Sequence, residues 1–272
     1  MIQFTQGNYK RTLEFMEHAF LVRQQIYGAQ SGEIFNARHE LGCMCNHIAK
    51  VYLPKAKHNR NFIANLLKKA ELYFDHHQLK DRAITCNNLA CLARLNNDLF
   101  GALRCTQQAL ELEKQLKSQN PKIFFSSADS HMNQCAILSE IGNHESALDH
   151  AAAAIGDLHY ELDLKISDEY LDSSLSEDHS TCPSVNVSPD KNTKRNSRFE
   201  ILAVAYFNLA AEQEHLKLYD ECIISYKKSV EIAIEYLGHQ HSTTKKLQRG
   251  YYGAERSSDR RQKNATKSKD TH

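Results

Sequence analysis

Apolar positions along the chain recur at helical spacing, in paired segments that are separated by short polar turns. The segment from Ala203 to Ala233, AVAYFNLAAEQEHLKLYDECIISYKKSVEIA, carries two apolar stripes on either side of a polar turn at His215 to Tyr219. This spacing predicts two helices, and the short turn predicts that they form an antiparallel hairpin. The chain has only four prolines and ten glycines, which favours helices over a turn-rich β fold.

The same pattern occurs elsewhere in the chain. The segment from Ala83 to Leu112 aligns with the first without a gap, and Ala128 to Ile155 adds a third copy. The first helices share an asparagine column formed by Asn88, Asn133 and Asn208. The second helices share two small residues seven positions apart: Ala102 and Ala109, Ala147 and Ala154, Cys222 and Ser229. Small side chains let two helices approach closely, and one hairpin cannot bury both of its faces, so we predict a stack of hairpins.

Two further copies are less regular. Arg38 to Phe74 reads as a fourth full copy, with the pair Leu41-Gly42 in its first helix and Ala70 in its second. Gly7 to Phe20 matches only a turn and a second helix, with Thr12 and Ala19 in the small columns. We therefore predict repeats over 1–160, with a half repeat at 7–20 and full repeats at about 35–77, 81–116 and 126–158. An insertion is predicted at 161–198, a further repeat and the start of the next at 199–248, and a tail at 249–272.

The repeats resemble tetratricopeptide repeats, because Leu209, Ala210, Tyr219 and Tyr226 stand where that family has its characteristic residues. Successive anchors Ala102 and Ala147 lie 45 residues apart rather than the standard 34, and the connector Tyr236-Leu237-Gly238 with His241 and Thr244 is similar to that of kinesin light chains. The resemblance implies an all-α solenoid, a right-handed superhelix of stacked antiparallel helix pairs. It is specific for the fold and weak for any one function.

The insertion and the tail carry a different composition. Residues from about Ser173 to Ser197 are rich in Ser and Asp and are expected to form a flexible loop. Its acidic surroundings and one Ser-Pro pair make four serines candidate phosphorylation sites: Ser173, Ser174, Ser176 and Ser188. An unconstrained insertion is the alternative. From Lys245 to His272 there are nine Lys or Arg against three acids, and we expect a basic, disordered tail.

The sequence offers little chemistry for catalysis. No nucleophile elbow, phosphate loop or dinucleotide fingerprint occurs, so no enzyme activity and no cofactor are predicted. Cys43 and Cys45 are two apart on a predicted helix and point to different sides, so no metal site is predicted either. No apolar run is long enough to span a membrane and no secretory signal is seen, which favours a cytoplasmic chain with reduced thiols.

A solenoid of this kind lines an inner groove with its first helices, and such a groove takes a peptide or a partner helix. We therefore predict a non-catalytic adaptor that binds protein, within transport, cytoskeletal or ciliary machinery as the resemblance implies. The predicted groove residues are Asn87, Cys91, Arg94, Met132, Ser139, Glu140, Phe207, Glu214 and His215, joined in the first full copy by His39, Cys43 and Asn46.

Three alternatives stay open. The half copy at Gly7 would also suit an accessory module of a larger enzyme or regulator, of which this chain is a part. The basic tail could associate with nucleic acid, although the net charge of only +1 does not favour it. The asparagine column could contact a ligand, or it could tie each first helix to backbone within its own repeat.

Overall fold

The structure, a computed structural model, describes residues 9–28, 30–121, 124–175 and 191–269. These residues form helices and no strand. The α-helices that the structure describes are α1 (Tyr9–Tyr27), α2 (Gly32–Tyr52), α3 (Arg60–Tyr73), α4 (Leu79–Leu95), α5 (Leu99–Gln119), α6 (Ala128–Ile141), α7 (His144–Leu175), α8 (Lys191–His215), α9 (Tyr219–Leu237) and α10 (Ser242–Lys269). A short 3₁₀ helix, Leu53–His58, links α2 to α3 and begins at a proline-containing turn.

Helices that follow one another in sequence pack as hairpins. The hairpins are α2 with α3, α4 with α5, α6 with α7, and α8 with α9, while α1 packs on α2 and α10 packs on α9. The chain divides into two compact units, one with α1 to α5 and one with α6 to α10. Within each unit every hairpin packs against the next element along the chain, so the predicted all-α fold of stacked helix pairs is confirmed for the described residues.

The small residues of the aligned columns lie where helices meet. All six in the second helices are buried: Ala102, Ala109, Ala147, Ala154, Cys222 and Ser229. The Ser229 hydroxyl also donates a hydrogen bond of 2.7 Å to the backbone oxygen of Ala203, so a polar residue is tolerated at this crossing. The ring of Phe74, directly after α3, packs on Gly42 of α2, and a Cβ added at Gly42 would lie 2.6 Å from that ring. Alanine-sized residues therefore set the approach of the helices, as the sequence predicted.

The tight turns between helices share one backbone feature. Asn97, Gly142 and Lys217 have φ of 65°, 89° and 63°, and they occupy the same position in the three aligned copies. A residue in this left-handed region ends the first helix and reverses the chain. In the copy that starts with α4, Asp98 then begins α5, because its side chain accepts a hydrogen bond of 2.8 Å from the Gly101 amide.

The structure differs from the expected flexible loop at 173–197. Helix α7 extends to Leu175 and α8 already begins at Lys191, so Ser173 and Ser174 lie in helix. Leu162, inside the predicted insertion, and Phe199, directly after it, are buried in the core of the second unit, so packing extends the helices into the predicted insertion. Residues 176–190, and with them Ser176 and Ser188, lie outside the described residues. Phosphorylation of the four serines stays a prediction.

The tail also differs from its expected disorder. Helix α10 runs from Ser242 to Lys269, well past residue 249. Ala254 is buried against Ala210, Cys222 and Tyr226, so the start of the predicted tail packs on the preceding hairpin. The basic residues that suggested disorder are also good helix formers, and packing of the first turns gives them a helix to extend.

Candidate functional site

A ladder of polar side chains joins the first helices of two successive copies in the first unit. The Asn46 amide on α2 donates a hydrogen bond of 2.9 Å to the Thr85 hydroxyl on α4, and Asn88 donates one of 3.3 Å to the Asn46 side-chain oxygen. All three residues are buried. Asn88 therefore ties its helix to the neighbouring copy, whereas the sequence suggested a tie within its own repeat or contact with a ligand.

His39, Cys43 and Asp81 extend this ladder to the surface. His39 Nε2 lies 3.0 Å from Asp81 Oδ2, and Cys43 Sγ lies 3.5 Å from His39 Nε2 and 3.8 Å from Asp81 Oδ1. Burial, with the Asp81 carboxylate as the next cause, raises the pKa of the Cys43 thiol to about 11. These three are the side chains among the described residues whose His, Cys, Asp or Glu ligand atoms come close enough to share a metal ion.

A shallow, open depression adjoins this cluster, with walls from α1 and α2. It is lined by Met16, His39, Glu40, Cys43, Met44 and His47. Burial lowers the pKa of His47, and the nearby Lys50 charge adds to the effect. The depression therefore presents sulfur and imidazole groups beside the Glu40 carboxylate.

The predicted groove residues of α4 form one stripe. Asn87, Cys91 and Arg94 follow each other at four and three positions, so they share a helix face; Arg94 is exposed and the other two are half-buried. Burial raises the pKa of the Cys91 thiol, while the positive charges of Arg94 and of Lys50 on α2 oppose this rise. Both cations therefore lie near Cys91, and the face shared by α2 and α4 is locally positive.

In the second unit two predicted groove residues pack inside the protein. Met132 lies against the core, and the Phe207 ring meets Tyr226 edge-on at 4.9 Å between ring centroids. The Phe207 ring also packs on Gly250 of α10, where there is no room for a Cβ. Because α10 covers Phe207, its main contacts are internal, and any contact of Phe207 or Met132 with a partner stays a prediction.

The other predicted groove residues of the second unit are more accessible. Glu140 and His215 are exposed, and Ser139 and Glu214 are half-buried. The His215 ring stacks on His144 at 4.0 Å between centroids, and Glu214 accepts a hydrogen bond of 3.4 Å from the Tyr226 hydroxyl. These residues therefore present the carboxylates of Glu140 and Glu214.

Five cysteines show no sign of activation as nucleophiles. Burial is the largest effect on Cys43, Cys45, Cys86, Cys91 and Cys105, and in each case it raises the thiol pKa. The thiolate is the reactive form of cysteine, so these thiols are poor nucleophiles at neutral pH. Cys45 is fully buried while Cys43 reaches the surface, which agrees with the expectation that the two point to different sides.

Sequence reasoning missed the meeting of Cys43 with Asp81. The two residues are 38 positions apart and belong to different copies. The spacing of His39 and Cys43, four residues apart on one helix, was a signal for half of the cluster. The position of Asp81 depends on how α4 packs on α2, which no spacing within the chain reveals.

No helix in the described part of the chain combines the length and the apolar character that crossing a membrane requires. No protein-family profile matches the chain, and no curated protein matches it. Among solved structures it is similar to a kinesin light chain of Podospora anserina with nearly identical TPR-like repeats, at 14% identity and a TM-score of 0.48, over 80% of this chain and 87% of that one. The fold described above is established by the helices and their packing.

Proposed function

We propose that this protein is a non-catalytic scaffold that binds a protein segment on the solvent-accessible faces of its first helices. Stacked hairpins bury their small columns, and this leaves the first helices with polar side chains that the core does not use. The stripe of Asn87, Cys91 and Arg94 on α4 is the observation that carries the proposal, because it is an accessible helix face beside a second first helix. Such faces suit an extended peptide or a partner helix.

The charge of this face points to the chemistry of the partner. Lys50 on α2 and Arg94 on α4 act together on Cys91, so their charges are close in space. Both side chains are exposed, so a bound segment can reach their charges. We propose that the segment bound here is acidic, with its apolar residues against the depression lined by Met16 and Met44.

Selection of peptides from a displayed library against the full chain tests this function. We expect acidic peptides to be enriched, and Arg94→Glu combined with Lys50→Glu to weaken them at least tenfold. The matched control is Arg104→Glu, a charge reversal at an exposed position on α5, the second helix of the same copy. Equal binding by both variants, or a selection without acidic peptides, would overturn the proposal.

We extend the proposal to the place of this function in the cell. The connector Tyr236-Leu237-Gly238 supports a transport, cytoskeletal or ciliary role in the cytoplasm, because it resembles that of kinesin light chains. Imaging of the tagged full chain together with microtubules tests this part separately from peptide binding. A distribution that does not follow any of these structures would contradict it.

A further inference from the structure

The cluster of His39, Cys43 and Asp81 has the composition of a metal site. It offers one imidazole nitrogen, one sulfur and one carboxylate, which is a donor set that zinc accepts. Three protein ligands leave a fourth position for water in a tetrahedral site. The side chains of His39 and Asp81 are 39% and 24% exposed, so an ion has access from solvent.

The separations between the donor atoms also suit a tetrahedral ion. With zinc bonds of about 2.0–2.3 Å, donor atoms around one ion lie roughly 3.3–3.6 Å apart. His39 Nε2 lies 3.0 Å from Asp81 Oδ2, Cys43 Sγ lies 3.5 Å from His39 Nε2, and Cys43 Sγ lies 3.8 Å from the other carboxylate oxygen, Asp81 Oδ1. One ligand atom from each of the three residues lies within 4.8 Å of the other two. Adjustments of a few tenths of an ångström, within the reach of side-chain rotation, would place all three around one ion.

The surrounding ladder holds these ligands in place. His39 and Cys43 are one turn apart on α2 and therefore face the same side. Asp81 lies in the first turn of α4, where its backbone oxygen accepts hydrogen bonds from Asn46 Nδ2 at 3.4 Å and from Thr85 Oγ1 at 2.9 Å. The ligands thus come from two helices whose spacing is set by buried hydrogen bonds, and they need no large movement to converge.

We propose that His39, Cys43 and Asp81 bind one divalent zinc-like ion that joins the first helices of two successive copies. On binding, the Cys43 S–H bond breaks, the proton passes to solvent and the sulfur binds the metal, with no change in oxidation state. The ion replaces the hydrogen bonds among the three side chains. This site differs from the absence of a metal that the sequence predicted, and it does not depend on the proposed peptide binding.

Titration of the full chain with Co²⁺, followed by displacement with Zn²⁺, tests the proposal. We expect one equivalent of Co²⁺ to give a thiolate-to-metal charge-transfer band and the strong visible bands of tetrahedral cobalt. Cys43→Ser is expected to abolish the charge-transfer band, and Asp81→Asn to weaken binding at least tenfold. The matched control is Cys91→Ser, which removes a half-buried thiol from α4 and should leave the spectrum unchanged.

A second readout keeps the test decisive if a variant fails to fold. In the unaltered chain, Zn²⁺ should slow alkylation of Cys43 at least tenfold and leave that of Cys105 unchanged, as read by mass spectrometry of peptides. Absence of a charge-transfer band in the unaltered chain, or equal losses in Cys43→Ser and Cys91→Ser, would overturn the proposal. Alkylation of Cys43 at an unchanged rate with Zn²⁺ present would do so as well.

Discussion

Helices α1 and α5 occupy the same place in the repeat, yet one face of α1 is exposed where the same face of α5 is buried. In α5, Ala109 and Leu112 are buried against Leu79, Ala83 and Cys86, which lie on α4, the first helix of the same copy. The aligned residues of α1 are Ala19 and Val22, which are exposed, and Phe15 and Ile26 on the same face are 60% and 67% exposed. No first helix of that copy lies among the described residues to cover them.

This difference shows what the small columns do. An alanine in the repeat contributes to stability only where a partner helix lies against it. Its place in the sequence column therefore does not show how much it contributes to the free energy of folding. The same reasoning applies to other columns, whose members share a position in the repeat and differ in surroundings. Each column therefore offers a substitution with its own control in another copy.

The largest difference is expected in the small column. Ala109→Leu should destabilise the protein by about 3 kcal/mol, because the crossing with α4 has no room for the extra carbons. Ala19→Leu should change the free energy of unfolding by less than about 0.5 kcal/mol, since α1 is open there. Urea denaturation followed by circular dichroism measures both. A cost for Ala19→Leu as large as that for Ala109→Leu would mean that α1 is also covered.

The asparagine column should give the next largest effect. Asn88→Ala removes the donor to Asn46 and leaves a buried amide oxygen without this partner, which should cost about 1–2 kcal/mol. Asn208, in the same column, is only half-buried, so Asn208→Ala should cost less. The urea midpoints of the two variants decide this. Equal losses would show that the buried ladder adds nothing specific to the first unit.

A third column separates the copies by pH. It holds Cys105 in one copy, His150 in the next and Ser225 in the last. His150 Nδ1 lies 2.8 Å from His131 Nδ1, and burial lowers the pKa of His150, although the Asp149 charge opposes this. An unfolded histidine titrates near pH 6.5, so the folded protein binds the proton less readily than the unfolded one. The contribution of neutral His150 is therefore complete above about pH 6.5 and is lost as pH falls below that value.

His150→Gln is expected to reduce the fall in stability between pH 7.5 and 5.5, whereas Cys105→Ser in the same column should leave that slope unchanged. Urea midpoints measured across this range provide the comparison. A slope that is the same in the unaltered chain and in His150→Gln would exclude His150 as the source.

The smallest effect is expected in the turn column, and it is stabilising. Lys217 has φ of 63°, a conformation that costs a residue with a side chain about 1–2 kcal/mol, while glycine adopts it without this cost. Lys217→Gly should therefore stabilise the protein by about 0.5 kcal/mol, after the greater freedom of glycine in the unfolded chain is subtracted. Asn97→Gly should gain less, since asparagine tolerates this region. A loss of stability in Lys217→Gly would contradict the shared turn geometry.

Much of the fold was open to prediction from the sequence, because it depends on local features. The helical spacing, the small columns and the turns at Asn97, Gly142 and Lys217 recur at the same positions within each copy, so recognising them needs no knowledge of tertiary structure. The extension of α7 and α10 does not follow from composition, because it depends on tertiary packing. Leu162 and Ala254 each have buried partners, and burial of a few apolar residues outweighs many polar neighbours.

The candidate site was predicted less completely. The stripe of Asn87, Cys91 and Arg94 follows from helical spacing alone, but the covering of Phe207 by α10 and the approach of Asp81 to Cys43 depend on contacts between copies. A repeat pattern contains only the features that the copies share. The contacts that differ from one pair of neighbouring copies to the next cannot be read from it.

The hydrogen bond from Asn46 to Thr85 makes the order of the hairpins matter. The residues aligned with Thr85 in later copies are Ser130 in α6 and Ala205 in α8, so only some first helices present a hydroxyl there. A chimera that joined the α2–α3 hairpin directly to α8 and α9 would set the Asn46 amide against a methyl group. Shuffled or shortened arrays built from this chain should accordingly keep the segment from α2 to α5 as a single cassette.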